Sequence, residues 1–101
     1  MSTGIFLKGQ LLDNAHQGTL ALGPCRVYSI YWQAAVAGGV VELLDGTGGN
    51  ELIVFTLPAA ASAGSINLVD NGVKFTTGVW VNALPAGSSI TLFYDPPMAT
   101  V

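Results

Sequence analysis

Glycine, proline and Asn-Gly steps interrupt this chain about every ten residues, and that punctuation limits the fold more than any other feature. No window of about twelve residues carries the i, i+3, i+4, i+7 apolar spacing free of Gly or Pro. The best candidate, Ala34–Leu44, is broken by Gly38 and Gly39 and is rich in β-branched valine. Between the interruptions lie short β-branched and aromatic runs, the pattern of antiparallel sheets rather than of strand-helix alternation. The sequence therefore predicts a single all-β domain over residues 1–101, an antiparallel β-sandwich or small jelly roll of about seven to eight strands.

The runs can be placed one by one. Val40–Asp45 and Glu51–Leu57 flank the glycine-rich Gly46–Asn50 and predict a hairpin, with Pro58 ending its second strand. Ala59–Gly64 reads as a small-residue connector before a half-buried strand, Ser65–Val69, with Ile66 and Leu68 on one side. Asp70-Asn71-Gly72 is a turn, because Asn and Gly accept positive φ. Strands at Val73–Phe75 and Val79–Leu84 follow, with a kink or bulge at Gly78. Pro85–Ser89 turns the chain into Ile90–Asp95, where Ile90, Leu92 and Tyr94 share one face and Thr91 and Phe93 the other. In Arg26–Gln33, strict alternation puts Val27, Ser29, Tyr31 and Gln33 on one face and Arg26, Tyr28, Ile30 and Trp32 on the other. Neither face is cleanly polar, so this strand is expected to be covered on both sides or by a partner on one. Residues 1–12 and 96–101 differ from the body and are expected to act as inter-subunit arms.

Charge narrows the function classes. Only 9% of residues are charged, against about 25% in ordinary soluble domains. Six acids and three bases give a net charge of −3, which cannot build the basic stripe that phosphate neutralisation requires, so nucleic acid is not an expected partner. Phe75–Tyr94 is free of charge and long enough for a membrane span, but Gly78, Asn82, Pro85 and Gly87 make it two strands and a turn, so no membrane partner is expected either. The start, Met1-Ser2-Thr3-Gly4, lacks the basic region of a signal peptide, so export by the classical route is not expected and the chain is expected to be made in the cytoplasm of the producing cell. So few charges on a domain of this size imply that neighbouring subunits cover part of its surface. The candidate interface residues are Ile5, Phe6, Leu7, Tyr28, Trp32 and Trp80.

Catalytic constellations are sparse. The only imidazole, His16, sits in the turn-like Asp13–Gly18 segment, and the only thiol, Cys25, has no nucleophile signature around it. One Cys and one His do not make a zinc site without carboxylates at a recognised spacing. Asp45–Glu51 offers oxygen ligands to calcium but lacks the alternating acids of an EF-hand loop. Gly46-Thr47-Gly48-Gly49 resembles a piece of a phosphate loop, yet no Lys-Ser or Lys-Thr pair follows. A carboxylate pair for sugar hydrolysis would have to come from Glu42, Asp45, Glu51, Asp70 or Asp95, all at predicted turns. The expectation is a protein that is not an enzyme, with no catalytic residue, no metal and no cofactor. Its aromatic residues belong mostly to the core, with Trp80 or Trp32 the candidates for an exposed sugar-stacking platform.

The order Val40–Gly46, Glu51–Ala59, Asn71–Val81 and Ser89–Asp95 resembles small β-sandwich proteins of tailed bacteriophage particles, over about half of the chain. The first forty residues do not carry the likeness. The resemblance implies a virion structural role, a capsid decoration or cement protein on the capsid surface, with a tail or fibre component as the alternative. It further implies a symmetric homo-oligomer, with a homotrimer favoured, bound to the major capsid protein or another virion protein. The alternative includes a carbohydrate-binding module at a fibre tip.

Overall fold

The computed structural model of the chain describes residues 8–35, 39–58, 62–68 and 72–95. Its centre is the predicted hairpin: Gly46–Asn50 folds β4 (Val40–Asp45) back onto β5 (Glu51–Thr56). The hairpin is prolonged outward by three further antiparallel pairs. These are β3 (Cys25–Ala34) with β6 (Ser62–Asn67), β2 (Thr19–Leu22) with β8 (Val79–Ala83), and β1 (Lys8–Asp13) with β9 (Ser89–Asp95). Successive pairs fall alternately into two facing sheets, of order β1-β9-β3-β6 and β2-β8-β4-β5. The short β7 (Val73–Phe75) lies beside β6 along the same side of β3. A long hairpin dealt alternately to two sheets is a jelly roll, so the structure adopts the second of the two architectures the sequence allows.

The nine strands among the described residues exceed the expected seven to eight. Thr19–Leu22 adds one, a four-residue strand too short to display an alternation. Lys8–Asp13 adds another: residues 8–12 of the expected N-terminal arm hydrogen-bond along β9 of the same chain. Residues 1–7 and 96–101, with the candidates Ile5, Phe6 and Leu7, lie outside the described residues, as do Ala59–Ala61, Val69, Asp70 and Asn71.

Two local departures from the sequence reading lie along β3. Strict alternation along β3 fails at Tyr28, where Val27 pairs with Tyr94 and Ser29 with the adjacent Phe93, leaving Tyr28 as the extra residue of a bulge. The inner face therefore carries Cys25, Val27, Ile30, Trp32 and Ala34, while Ser29, Tyr31 and Gln33 turn outward together. Farther along, β6 begins at Ser62, inside the expected connector, because its small residues fit under β3. Gly64 pairs with Trp32, and a Cβ there would stand 2.6 Å from Cζ2 of the indole.

The core fills the space between the sheets with Leu12, Val27, Ile30, Ile90 and Leu92 from the first and Val41, Leu43, Ile53, Val79 and Val81 from the second. Phe75 and Leu57 close it at the strand ends. The expected break at Gly78 marks where the chain crosses from β7 in the first sheet to β8 in the second. Its φ of +139° and the carbonyl oxygen of Leu22, which a Cβ there would strike, reserve the position for glycine.

Candidate interaction surfaces

The outer face of the first sheet is built by the register itself. One cross-strand row runs Gly9, Phe93, Ser29, Asn67, and the next runs Leu11, Thr91, Tyr31, Ser65. Neither row contains a charge. Leu11 is 57% exposed and Tyr31 is also exposed, while Phe93 lies against Gly9, 3.4 Å from a built Cβ. Among the described residues, charged side chains stand only at the ends of this face, with Asp13 at one end and Arg26, Lys74 and Asp95 in adjoining register positions at the other. The centre is thus flat, apolar and hydroxyl-bearing, a surface that loses little hydration energy when covered.

The outer face of the second sheet carries a different chemistry. Trp80 pairs with Leu20 on one side and Leu44 on the other. Leu44 is only 8% exposed although it faces away from the core, sheltered within this outer row. Next to the row, Asn82 bulges from β8 and its Nδ2 donates to Oε1 of Glu42. Glu51 lies beside Glu42, and a hydrogen bond to that carboxyl together with its charge holds Glu51 above the usual carboxylate range. The fold therefore brings together two of the five carboxylates that sequence alone leaves unsorted.

Asp45 is placed otherwise. Its Oδ2 accepts from Thr76 N (3.2 Å) and Thr76 Oγ1 (2.7 Å), and its Oδ1 from Thr77 N (2.8 Å) and Gly78 N (3.2 Å). These donors hold its pKa below the ordinary value, the Thr76 hydroxyl contributing most. A carboxylate offers roughly four lone-pair sites, and all are used, so this side chain pins the sheet-to-sheet crossing and has none left for calcium.

The remaining candidates take structural positions. His16 closes the turn Asn14–His16: its Nδ1 accepts from Asp13 N at 3.1 Å, and Asp13 Oδ1 accepts from Ala15 N at 3.0 Å. Next to it, Asn14 Nδ2 donates to Leu84 O and Leu84 N donates to Gln17 Oε1, stitching this turn to the end of β8. A shallow open depression of about 340 Å³ lies here, lined by Asp13, Asn14, Ala15 and Gly87–Ser89. Cys25 is buried opposite Phe75, and burial, with the charge of Asp45, pushes its thiol up to about 11. A protonated, buried sulfur is a core side chain rather than a nucleophile. Among the described residues, no group of three or more His, Cys, Asp or Glu side chains is arranged to hold a metal ion.

Of the sequence-predicted interface residues within the structure, only Trp80 stands on an outer face. Trp32 points inward and packs on the core, and half-buried Tyr28 occupies the bulge. Sequence reasoning misses Leu11, Tyr31 and Leu44 as surface formers, because their sides are set by bulges and register that no local pattern encodes. The chain matches no protein-family model, no curated protein and no solved structure, so its reading rests on the topology and on these two faces.

Proposed function

We propose that this chain is a non-enzymatic structural protein of a bacteriophage virion, a decoration or cement subunit that self-associates, as a trimer, and stabilises the capsid shell. The observation that carries the reading is the uncharged centre of the first sheet's outer face, in a domain with only 9% charged residues. Four strands of about six residues project to roughly 400 Å², half of the about 800 Å² per partner that a specific interface buries. One face alone therefore makes a weak contact. A lattice subunit that touches several neighbours at once gains the missing affinity through effective concentration. Jelly rolls also serve as capsid and lectin domains, which is agreement at the level of fold only.

The test is the position of the chain in particles purified from the producing cells, by mass spectrometry and electron microscopy. Stoichiometric density on the shell is the expected result. A chain missing from every particle, and monomeric at high concentration, overturns the proposal.

A second reading, a carbohydrate-binding module of a tail fibre, draws on the second sheet's outer face. There an indole for stacking stands beside Asn82, Glu42 and Glu51, groups that can hydrogen-bond sugar hydroxyls. Glycan-array binding that disappears in Trp80→Ala supports it, and silence of the wild-type protein on the array removes it.

A further inference from the structure

Imidazole is the side chain whose ordinary titration falls between about pH 5 and pH 8, and this chain has a single histidine, His16. It sits where β1 ends and the turn Asn14–His16 begins. Asp13 caps that turn: its Oδ1 accepts from Ala15 N, and His16 reaches back to the Asp13 amide. This is a capping box in which an imidazole takes the place usually held by Glu or Gln. A glutamine there would keep its acceptor at any pH, whereas an imidazole nitrogen loses its lone pair on protonation.

His16 Nδ1 stands 3.1 Å from Asp13 N and 3.1 Å from Asp13 Oδ1. The two neighbours make opposite demands. The amide N–H donates and needs a lone pair on the ring, while the ionised carboxylate only accepts and needs a hydrogen there. Nδ1 therefore bonds one or the other, and its proton decides which. Both side chains are open to water, at 36% exposure for His16 and 56% for Asp13, so protons reach them from solvent. Among the described residues no competing charge is close. The turn packs against β1, whose Lys8 lies at the far end, and against β2, which has no titratable group. Val79–Ser89, to which the turn is stitched through Leu84, has none either.

We propose that the β1–β2 turn is a proton-operated cap. With His16 neutral and its hydrogen on Nε2, Nδ1 holds the Asp13 amide and the capping box is complete. A proton taken up from water at Nδ1 gives the imidazolium, whose Nδ1–H donates to Asp13 Oδ1 and leaves the amide to water. Oδ1 has a second lone pair for Ala15 N, so only half of the box opens. The bonds from Asn14 Nδ2 to Leu84 O, from Leu84 N to Gln17 Oε1 and from the Thr19 hydroxyl to His16 O involve no titrating atom and keep the turn in place. Acid thus exposes one backbone donor at the end of edge strand β1 without moving the strand. The inference goes beyond the virion reading and does not depend on it, since it concerns this turn alone.

Nuclear magnetic resonance of the nitrogen-labelled protein between about pH 5 and pH 8 tests it. At the alkaline end, Nδ1 of His16 is expected to resonate as the unprotonated ring nitrogen and Nε2 as the protonated one. As the pH falls through the His16 titration, the Asp13 amide is expected to lose hydrogen-exchange protection several-fold, its resonance moving with the same midpoint, while Ala15 keeps its protection. In His16→Gln the side-chain carbonyl replaces Nδ1 as acceptor, and Asp13 protection is expected to stay constant over the same range. A proton on Nδ1 at the alkaline end overturns the proposal. So does an Asp13 amide whose protection ignores the His16 titration, or one whose protection falls equally in His16→Gln. These outcomes leave the shell reading standing, since the composition of purified particles decides that one.

Discussion

Asp45 and Glu51 bracket one turn and act in opposite directions on the response to acid. The Asp45 pKa is lowered from 3.8, so the folded state prefers its charged form. Its contribution is complete above that ordinary value and is lost as the pH falls through the depressed one. Asp45→Asn sets an amide N–H₂ among N–H and O–H donors and is expected to cost about 1–2 kcal/mol near neutral pH, with the difference from wild type shrinking in acid. Glu51 has a pKa raised from 4.5, so the folded state holds that proton longer. The stability it contributes is full below the ordinary value and is lost as the pH rises through the raised one. Glu51→Gln removes the repulsion from Glu42 and is expected to stabilise the protein at neutral pH but not in acid. Urea titrations of both variants between about pH 3 and pH 7 check the two signs. The thiol of Cys25, pushed up to about 11 and buried, is expected to resist a disulfide reagent at about pH 8 until denaturant opens the core.

At the scale of elements, what could be read in advance was what turn chemistry and hydrophobic alternation encode locally. The β4–β5 hairpin, the Gly78 crossing, and the faces of Ile90, Leu92 and Tyr94 against Thr91 and Phe93 lie where those signals put them. The extra residue at Tyr28 left no local mark, since a bulge reverses every later side chain of a strand without changing its composition. That reversal sent Trp32 inward and Tyr31 outward, which is why one predicted interface residue became core and an unpredicted one came to the surface. Cross-strand demands on β6 were equally invisible, because Gly64 is required by an indole far away in sequence. Gly64→Ala brings a Cβ to 2.6 Å from Cζ2 of Trp32, and overpacking of this kind costs about 1–3 kcal/mol. A lower thermal midpoint and a shifted indole fluorescence maximum are expected. An unchanged fluorescence spectrum would mean that the ring does not lie over β6.

For the whole molecule, the jelly roll is closed by its most distant pair, β1 with β9, which joins the two ends of the described chain. The segment around Lys8–Asp13 can serve its own sheet or a neighbour's, and its side chains distinguish the two cases. Leu12 is 0% exposed between the sheets, whereas Leu11, its neighbour in sequence, faces solvent. Removing a fully buried leucine side chain typically costs about 2–5 kcal/mol, and truncating an exposed one stays within about 0.5 kcal/mol. Leu12→Ala is therefore expected to lower stability by several kcal/mol and Leu11→Ala hardly at all. Because β1 pairs within its own chain, the Leu12→Ala loss should be the same at any protein concentration. If β1 were exchanged between subunits, dilution would weaken the wild type, and the gap between it and the variant would narrow with falling concentration. Denaturation curves across a hundredfold range of concentration decide this. Leu11→Ala has a second use on the same samples: it trims the uncharged outer face without disturbing the core, so a loss of self-association with unchanged stability assigns that face to assembly.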